Sequence, residues 1–204
     1  YLYSLIFQNC PGKRESAFRS FYIKNDEEWE QVLLMCRDDY ERATLYALRA
    51  NFSESKAVEE MAEIQRLDPS NPHLDILLLK ELKKMERRHL GAEFKGGGGA
   101  TNRKRDQNAD AYLIDLQDFV RSTNLKGNPP TPILWRIAEG YLEVLAGDYY
   151  QARKTLESVR NSVRSSFLKE QIDAFLLAAE ISNYRSVSDA IEEEVAAMLL
   201  DNKT

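Results

Sequence analysis

Spacings of three and four between apolar residues run along most of this chain, and sustained apolar–polar alternation is almost absent. A strand sends successive side chains to opposite faces, whereas a helix returns to one face about every 3.6 residues, so the pattern predicts an all-α protein. With 204 residues, 43% of them hydrophobic and 30% charged, the chain can bury a sizeable core. That length suits one domain, or about two at most. The balance reads as soluble and globular rather than disordered or fibrous. A net charge of -5 argues against a surface given over wholly to nucleic acid.

The helices can be placed from their punctuation. Asn25 or Asp26 caps "EEWEQVLLMC", whose acidic first turn suits the helix dipole. A second helix starts near Asp38 and runs through "YERATLYALRA". Ser53 opens "SESKAVEEMAEIQRL", in which Ala57, Met61, Ile64 and Leu67 share a face, and the two prolines of "DPSNP" stop it. "HLDILLLKELKKMERRHL" follows. Beyond it, "ADAYLIDLQDFVRS" carries Tyr112, Leu116, Phe119 and Val120 on one face. "ILWRIAEGYLEVLAG" carries two stripes: Leu134, Ile137, Tyr141 and Val144, and beside them Trp135, Ala138, Leu142 and Leu145. A helix apolar on two adjacent faces must be covered from two sides. "DYYQARKTLESV", "SVRSSFLKEQIDAFLLAAEIS" and "SVSDAIEEEVAAMLL" complete the series.

Residues 91–108, "GAEFKGGGGATNRKRDQN", interrupt it. Four consecutive glycines give the backbone too much freedom for helix or strand, so the segment reads as a flexible linker or long loop, native or engineered. A phosphate-binding loop needs Gly, four residues, then Gly-Lys-Ser/Thr, and that order is missing.

In "GDYYQARKTLESV", Gly147, Asp148 and Tyr149 are followed by Ala152, Leu156 and Val159. This order resembles the turn and second helix of a tetratricopeptide repeat, where Gly permits the turn and a small Ala lets two helices approach. Ala57, Met61, Ile64 and Pro69 reproduce the second-helix and terminator offsets of that family. The first helices depart from it: the family's early Trp and Leu-Gly positions fall on Glu41, Thr44 and Leu45, and on Arg136, Glu139 and Gly140, of which only Gly140 fits. The pair from Val163 to Leu200 keeps the rhythm without the Gly-Asp-Tyr turn. Residues 41–90 are also similar in wording to large uncharacterised repeat proteins of bacteroidete bacteria, a likeness that carries no activity.

The resemblance implies a right-handed stack of antiparallel helical hairpins, an α-solenoid, because each hairpin leaves an apolar face that only a neighbour can cover. Residues 1–90 and 109–204 are then two runs of hairpins in one solenoid. In that family the first helices line a groove that accepts an extended peptide or a partner's helix. Carried over, the groove positions are Arg42, Tyr46 and Arg49 in the first half, and Leu134, Ile137, Tyr141 and Val144 in the second. Arg and Tyr are common interface anchors. The plainer alternative packs Tyr46 and Tyr141 between helices with their hydroxyls at the rim. The function so implied is a non-catalytic scaffold that binds another protein, with no cofactor.

Two rival classes are weaker. Residues 80–105 hold nine Lys or Arg against three Glu, which suggests a mobile arm for phosphates. However, Lys80, Lys84, Arg87 and Arg88 lie opposite Ile76, Leu79, Leu82 and Met85, as on an ordinary solvated helix face, and the arm lacks aromatics to stack on bases. Catalysis finds no constellation. Glu192, Glu193 and Glu194 point in different directions on a helix, and His73 and His89 read as helix-terminus residues. Cys10 and Cys36 have no metal-ligand spacing and read as reduced, small apolar side chains. No apolar run reaches the roughly 20 residues of a membrane span, which leaves the cytoplasm and the periplasm or cell envelope open. "YLYSLIFQNCPGK" lacks a basic leader, the chain reads as trimmed at both ends, and Leu2, Leu5, Ile6 and Phe7 are expected to show apolar surface that further repeats would cover.

Overall fold

The computed structural model describes residues 1–52, 55–89, 107–126, 128–184, 191–193 and 195–197. Among these, regular structure is entirely helical: ten α-helices, one 3-10 turn and no strand. No described helix is long and apolar enough to cross a membrane. Packing divides the chain into two units, residues 1–81 with 127–130, and residues 82–126 with 131–204.

The first unit holds α1 (Leu2–Asn9), a 3-10 turn (Pro11–Lys13), α2 (Arg14–Ser20), α3 (Asp26–Leu34), α4 (Asp39–Ala50) and α5 (Ala57–Leu67), with the first part of α6 (His73–His89). Asn25 caps α3 by accepting the Glu28 N–H at 2.9 Å, and Asp38 caps α4 by accepting the Glu41 N–H at 2.8 Å. Lys56 stands at the cap position of α5 without a side-chain bond, while Ser53 lies outside the described residues. Helix α4 packs on α1 and α5, and its Leu45 and Leu48 join Phe21, Trp29 and Cys36 in one buried cluster.

Helix α1 is not foreseen from periodicity, because eight residues are only about two turns. Leu2 is indeed 67% exposed, but Leu5, Ile6 and Phe7 are half-buried, with the Phe7 ring 5.4 Å from that of His73. His73 starts α6, and burial, helped by the nearby Arg14 charge, pushes its pKa down. The start of α1 is tied to α4 through Glu41, whose side chain is 4% exposed. Its carboxylate accepts from the Tyr1 hydroxyl at 2.8 Å, the Arg37 N–H at 2.9 Å, and the Arg37 guanidinium at 2.9 and 2.6 Å. The Arg37 bonds hold that carboxyl at about 2, well below its ordinary 4.5.

The second unit holds the rest of α6, α7 (Gln107–Lys126), α8 (Pro132–Ala146), α9 (Tyr149–Ser162) and α10 (Ser166–Asn183). Helix α8 packs on α7, α9 and α10, so its two apolar stripes are covered from different sides. Trp135 meets Phe119 of α7 edge-on at 5.8 Å, whereas Ile137 is buried with Leu156, Val159, Val163 and Ile172 of the α9–α10 side. At Gly140 α8 leaves no room for a side chain against α9, since a Cβ there would sit 2.6 Å from Leu156 Cγ.

Gly147 ends α8 with φ of +81°, a left-handed conformation that costs Gly no Cβ clash. Its N–H donates to the Val144 carbonyl and the Asp148 N–H to the Glu143 carbonyl, both at 3.0 Å, the paired bonds of a Schellman motif. Asp148 also caps α9 by accepting the Gln151 N–H at 3.2 Å. One dipeptide thus stops one helix and starts the next. Arg160 and Asp173 then clamp α9 to α10 with two parallel bonds. The last predicted helix, 186–200, is described only at 191–193 and 195–197, which are helical.

Candidate interaction cleft

A concavity in the first unit begins with a capping arrangement. While Asn25 accepts from the Glu28 N–H, Glu28 reaches back and accepts the Lys24 N–H at 2.9 Å. This reciprocal pair fixes the extended segment between α2 and α3, residues 21–25, above the start of α3. Phe21, Tyr22 and Ile23 on that segment, Trp29 of α3, Arg49 of α4 and Phe52 just beyond α4 line an open cleft of about 480 Å³.

The cleft is mainly aromatic. Phe52 packs 5.2 Å from Phe18 and 6.1 Å from Phe21, so it is held from below, and Tyr22 stands 75% exposed at the rim. Lys24 and Asp26 add one charge of each sign. Arg49 is fixed by three contacts. Its guanidinium carbon lies 3.6 Å from the Trp29 ring centre and 5.4 Å from that of Tyr46, and its Nε is 2.6 Å from Oε1 of Glu60 on α5. The second Glu60 oxygen is buried with no hydrogen-bond partner among the described residues, and burial raises that carboxyl's pKa against the opposing pull of Arg49. A planar cation backed by Trp and locked by Glu is preorganised to meet a partner with little loss of side-chain freedom.

Of the positions drawn from the repeat resemblance, the structure brings Tyr46 and Arg49 together and leaves Arg42 apart. Arg42 pairs with Asp39 at 2.8 Å and does not line the cleft. Tyr46 is half-buried, edge-on to Trp29 at 5.2 Å, beneath Arg49 rather than at the surface of the cleft. In the second unit, Ile137 is buried, and Leu134 and Val144 are half-buried, Val144 against the α9–α10 cluster. Tyr141 stacks on Phe175 at 4.3 Å, and burial, with the Glu86 charge adding to it, pushes its hydroxyl up to about 12. Ile137, Tyr141 and Val144 thus take part in packing within their own unit.

Sequence reading missed Phe21, Tyr22, Ile23, Trp29 and Phe52 as a group. The signal was the aromatic density of "FRSFYIKNDEEW", which precedes the part of the chain that carries the repeat pattern. Most of the basic arm, residues 90–106, and the Gly run lie outside the described residues. On α6, Lys84 lies over the Tyr112 ring at 4.7 Å and Lys80 donates to the Ala50 carbonyl at 3.0 Å. Both cysteines are free thiols, Cys10 exposed and Cys36 buried, with burial raising the Cys36 pKa. No group of three or more His, Cys, Asp or Glu that could hold a metal ion occurs among the described residues. Compared with protein-family models, curated proteins and solved structures, the chain matches none.

Proposed function

We propose that this chain is a non-catalytic interaction module, a tetratricopeptide-like stack of helical hairpins, that captures a segment of another protein in the cleft of its first unit. The observation that carries the reading is the aromatic wall of Phe21, Tyr22, Trp29 and Phe52 around a preset arginine. A cleft of about 480 Å³ is the size that takes one or two large side chains of a partner. Burying them is the main source of affinity, and Arg49 supplies orientation. The serial packing of α8 on α9 and α10, with Gly140 pressed against Leu156, supports the stacked-hairpin part of the reading.

The test must separate binding from folding. Arg49 is unsuitable as a first target, because removing it leaves Glu60 buried without its cation. Tyr22 is exposed, so Tyr22→Ala should leave melting unchanged while weakening peptides selected by display on the chain by about tenfold or more. Selected peptides that bind Tyr22→Ala and the parent chain equally would refute the cleft as the capture site.

A further inference from the structure

We propose that Glu143 is a proton-binding site in the second unit: the folded α7–α8–α9 seam holds it as the neutral acid, and its ionisation loosens that packing. The proposal concerns the second unit alone and does not depend on the cleft.

Glu143 is 2% exposed, and neither carboxyl oxygen has a hydrogen-bond partner among the described residues. The amide donors of α7 are committed elsewhere. From α7, Asn124 donates to Glu139 Oε2 at 2.7 Å and to the Trp135 carbonyl at 3.1 Å, and Gln117 donates to the Leu142 carbonyl at 3.2 Å. Arg121 is the cation nearest to hand, yet its Nη2 stops 3.6 Å from Glu143 Oε1. It is half exposed and is shared with Glu139, whose Oε1 lies 3.6 Å from Arg121 Nε. From α9, Asp148 adds a second like charge, while the Thr155 hydroxyl, which accepts from Gln151 at 3.4 Å, keeps its own proton and partly offsets the burial of Glu143.

An ionised carboxylate in that setting is desolvated and under-compensated, whereas the neutral acid is nearly free of that penalty. Burial is the main cause that raises its pKa above the ordinary 4.5, with Glu139 and Asp148 adding to it and Thr155 and Arg121 opposing. The sign follows directly. Because the folded chain holds this proton more tightly than the unfolded chain, stability is greatest below 4.5 and is lost as pH rises through the folded value. The seam includes the Gly140–Leu156 contact, where an added Cβ would sit 2.6 Å from Leu156 Cγ, so it has little room to adjust around an ionised carboxylate.

The experiment uses the full chain with Trp29→Phe, leaving Trp135 as the only tryptophan and hence a reporter of the second unit. Urea unfolding followed by its fluorescence is compared between this chain and Glu143→Gln from about pH 5 to pH 8. The parent's unfolding constant should rise by a larger factor than that of Glu143→Gln across the range, because only the parent gives up this proton as pH rises. Equal pH dependence in the two chains would overturn the proposal. Where Glu143→Gln fails to fold, the carboxyl carbon signal of Glu143 in the parent chain decides by NMR titration. A midpoint above 4.5 supports the proton site, and one at or below 4.5 sinks it.

Discussion

Glu41 and Glu143 lie in different units, and both side chains are nearly closed to solvent, 4% and 2% exposed. Glu41 collects a hydroxyl, a backbone N–H and a guanidinium, and ionises at about 2. Neither oxygen of Glu143 has a partner at hydrogen-bond geometry among the described residues, and burial, only partly opposed by Thr155 and Arg121, raises its pKa. Low exposure alone therefore does not decide the protonation state of a carboxyl group. The balance between desolvation and donor supply decides it, and donor supply depends on what each neighbouring side chain is already doing.

Removing each acid should push stability in opposite directions. Glu41→Leu leaves Tyr1 and Arg37 without their acceptor and separates the start of α1 from α4, so urea unfolding should show a loss of about 3 kcal/mol. A loss below about 1 kcal/mol would mean that water replaces those bonds without cost. Glu143→Leu deletes an under-compensated buried acid and should raise stability at pH 8 by about 2 kcal/mol, read as a higher urea midpoint. Destabilisation of similar size would show that Arg121 closes on Glu143 in solution and that the two sites are alike.

Acid titration sharpens the contrast with a smaller signal. The stability that Glu41 contributes is present above 4.5 and is lost as pH falls towards about 2, whereas the stability tied to Glu143 is lost as pH rises from 4.5. Trp29 and Trp135, one in each unit, should therefore report opposite pH trends, and parallel trends would break the comparison. The smallest effect belongs to the α8–α9 joint. Gly147→Ala forces a side chain into positive φ and should cost about 1 kcal/mol in thermal melting of the second unit, with no effect on the first.

Much of the helical scaffold can be read from the chain, because periodicity and capping are local. Asn25, Asp38 and Asp148 announce three helix starts, and each is seen accepting an N–H there. The double stripe of α8 foretold cover from more than one side, which α7, α9 and α10 provide. Short elements escaped: α1 and α2 span too few turns to establish a period. Helix α7 continues to Lys126, past the expected end near Ser122, because Thr123 and Asn124 find carbonyl acceptors within the unit. The cleft was less legible still. Arg49 was reached through the register of a repeat, but its aromatic neighbours come from separate elements, and nothing local in the chain joins residue 21 to residue 52. Glu143 had no sequence signature at all, since a lone Glu beside two apolar stripes does not reveal which donors its neighbours have left.

The Gly147–Asp148 dipeptide leaves the chain no spare length between α8 and α9. An inserted residue there would undo the paired caps or swing the face of α9 by about 100°, taking Leu156 off Gly140. Length variation, grafted tags and peptide insertions should therefore be rejected at this joint, which makes the α8–α9 hairpin a span of fixed length.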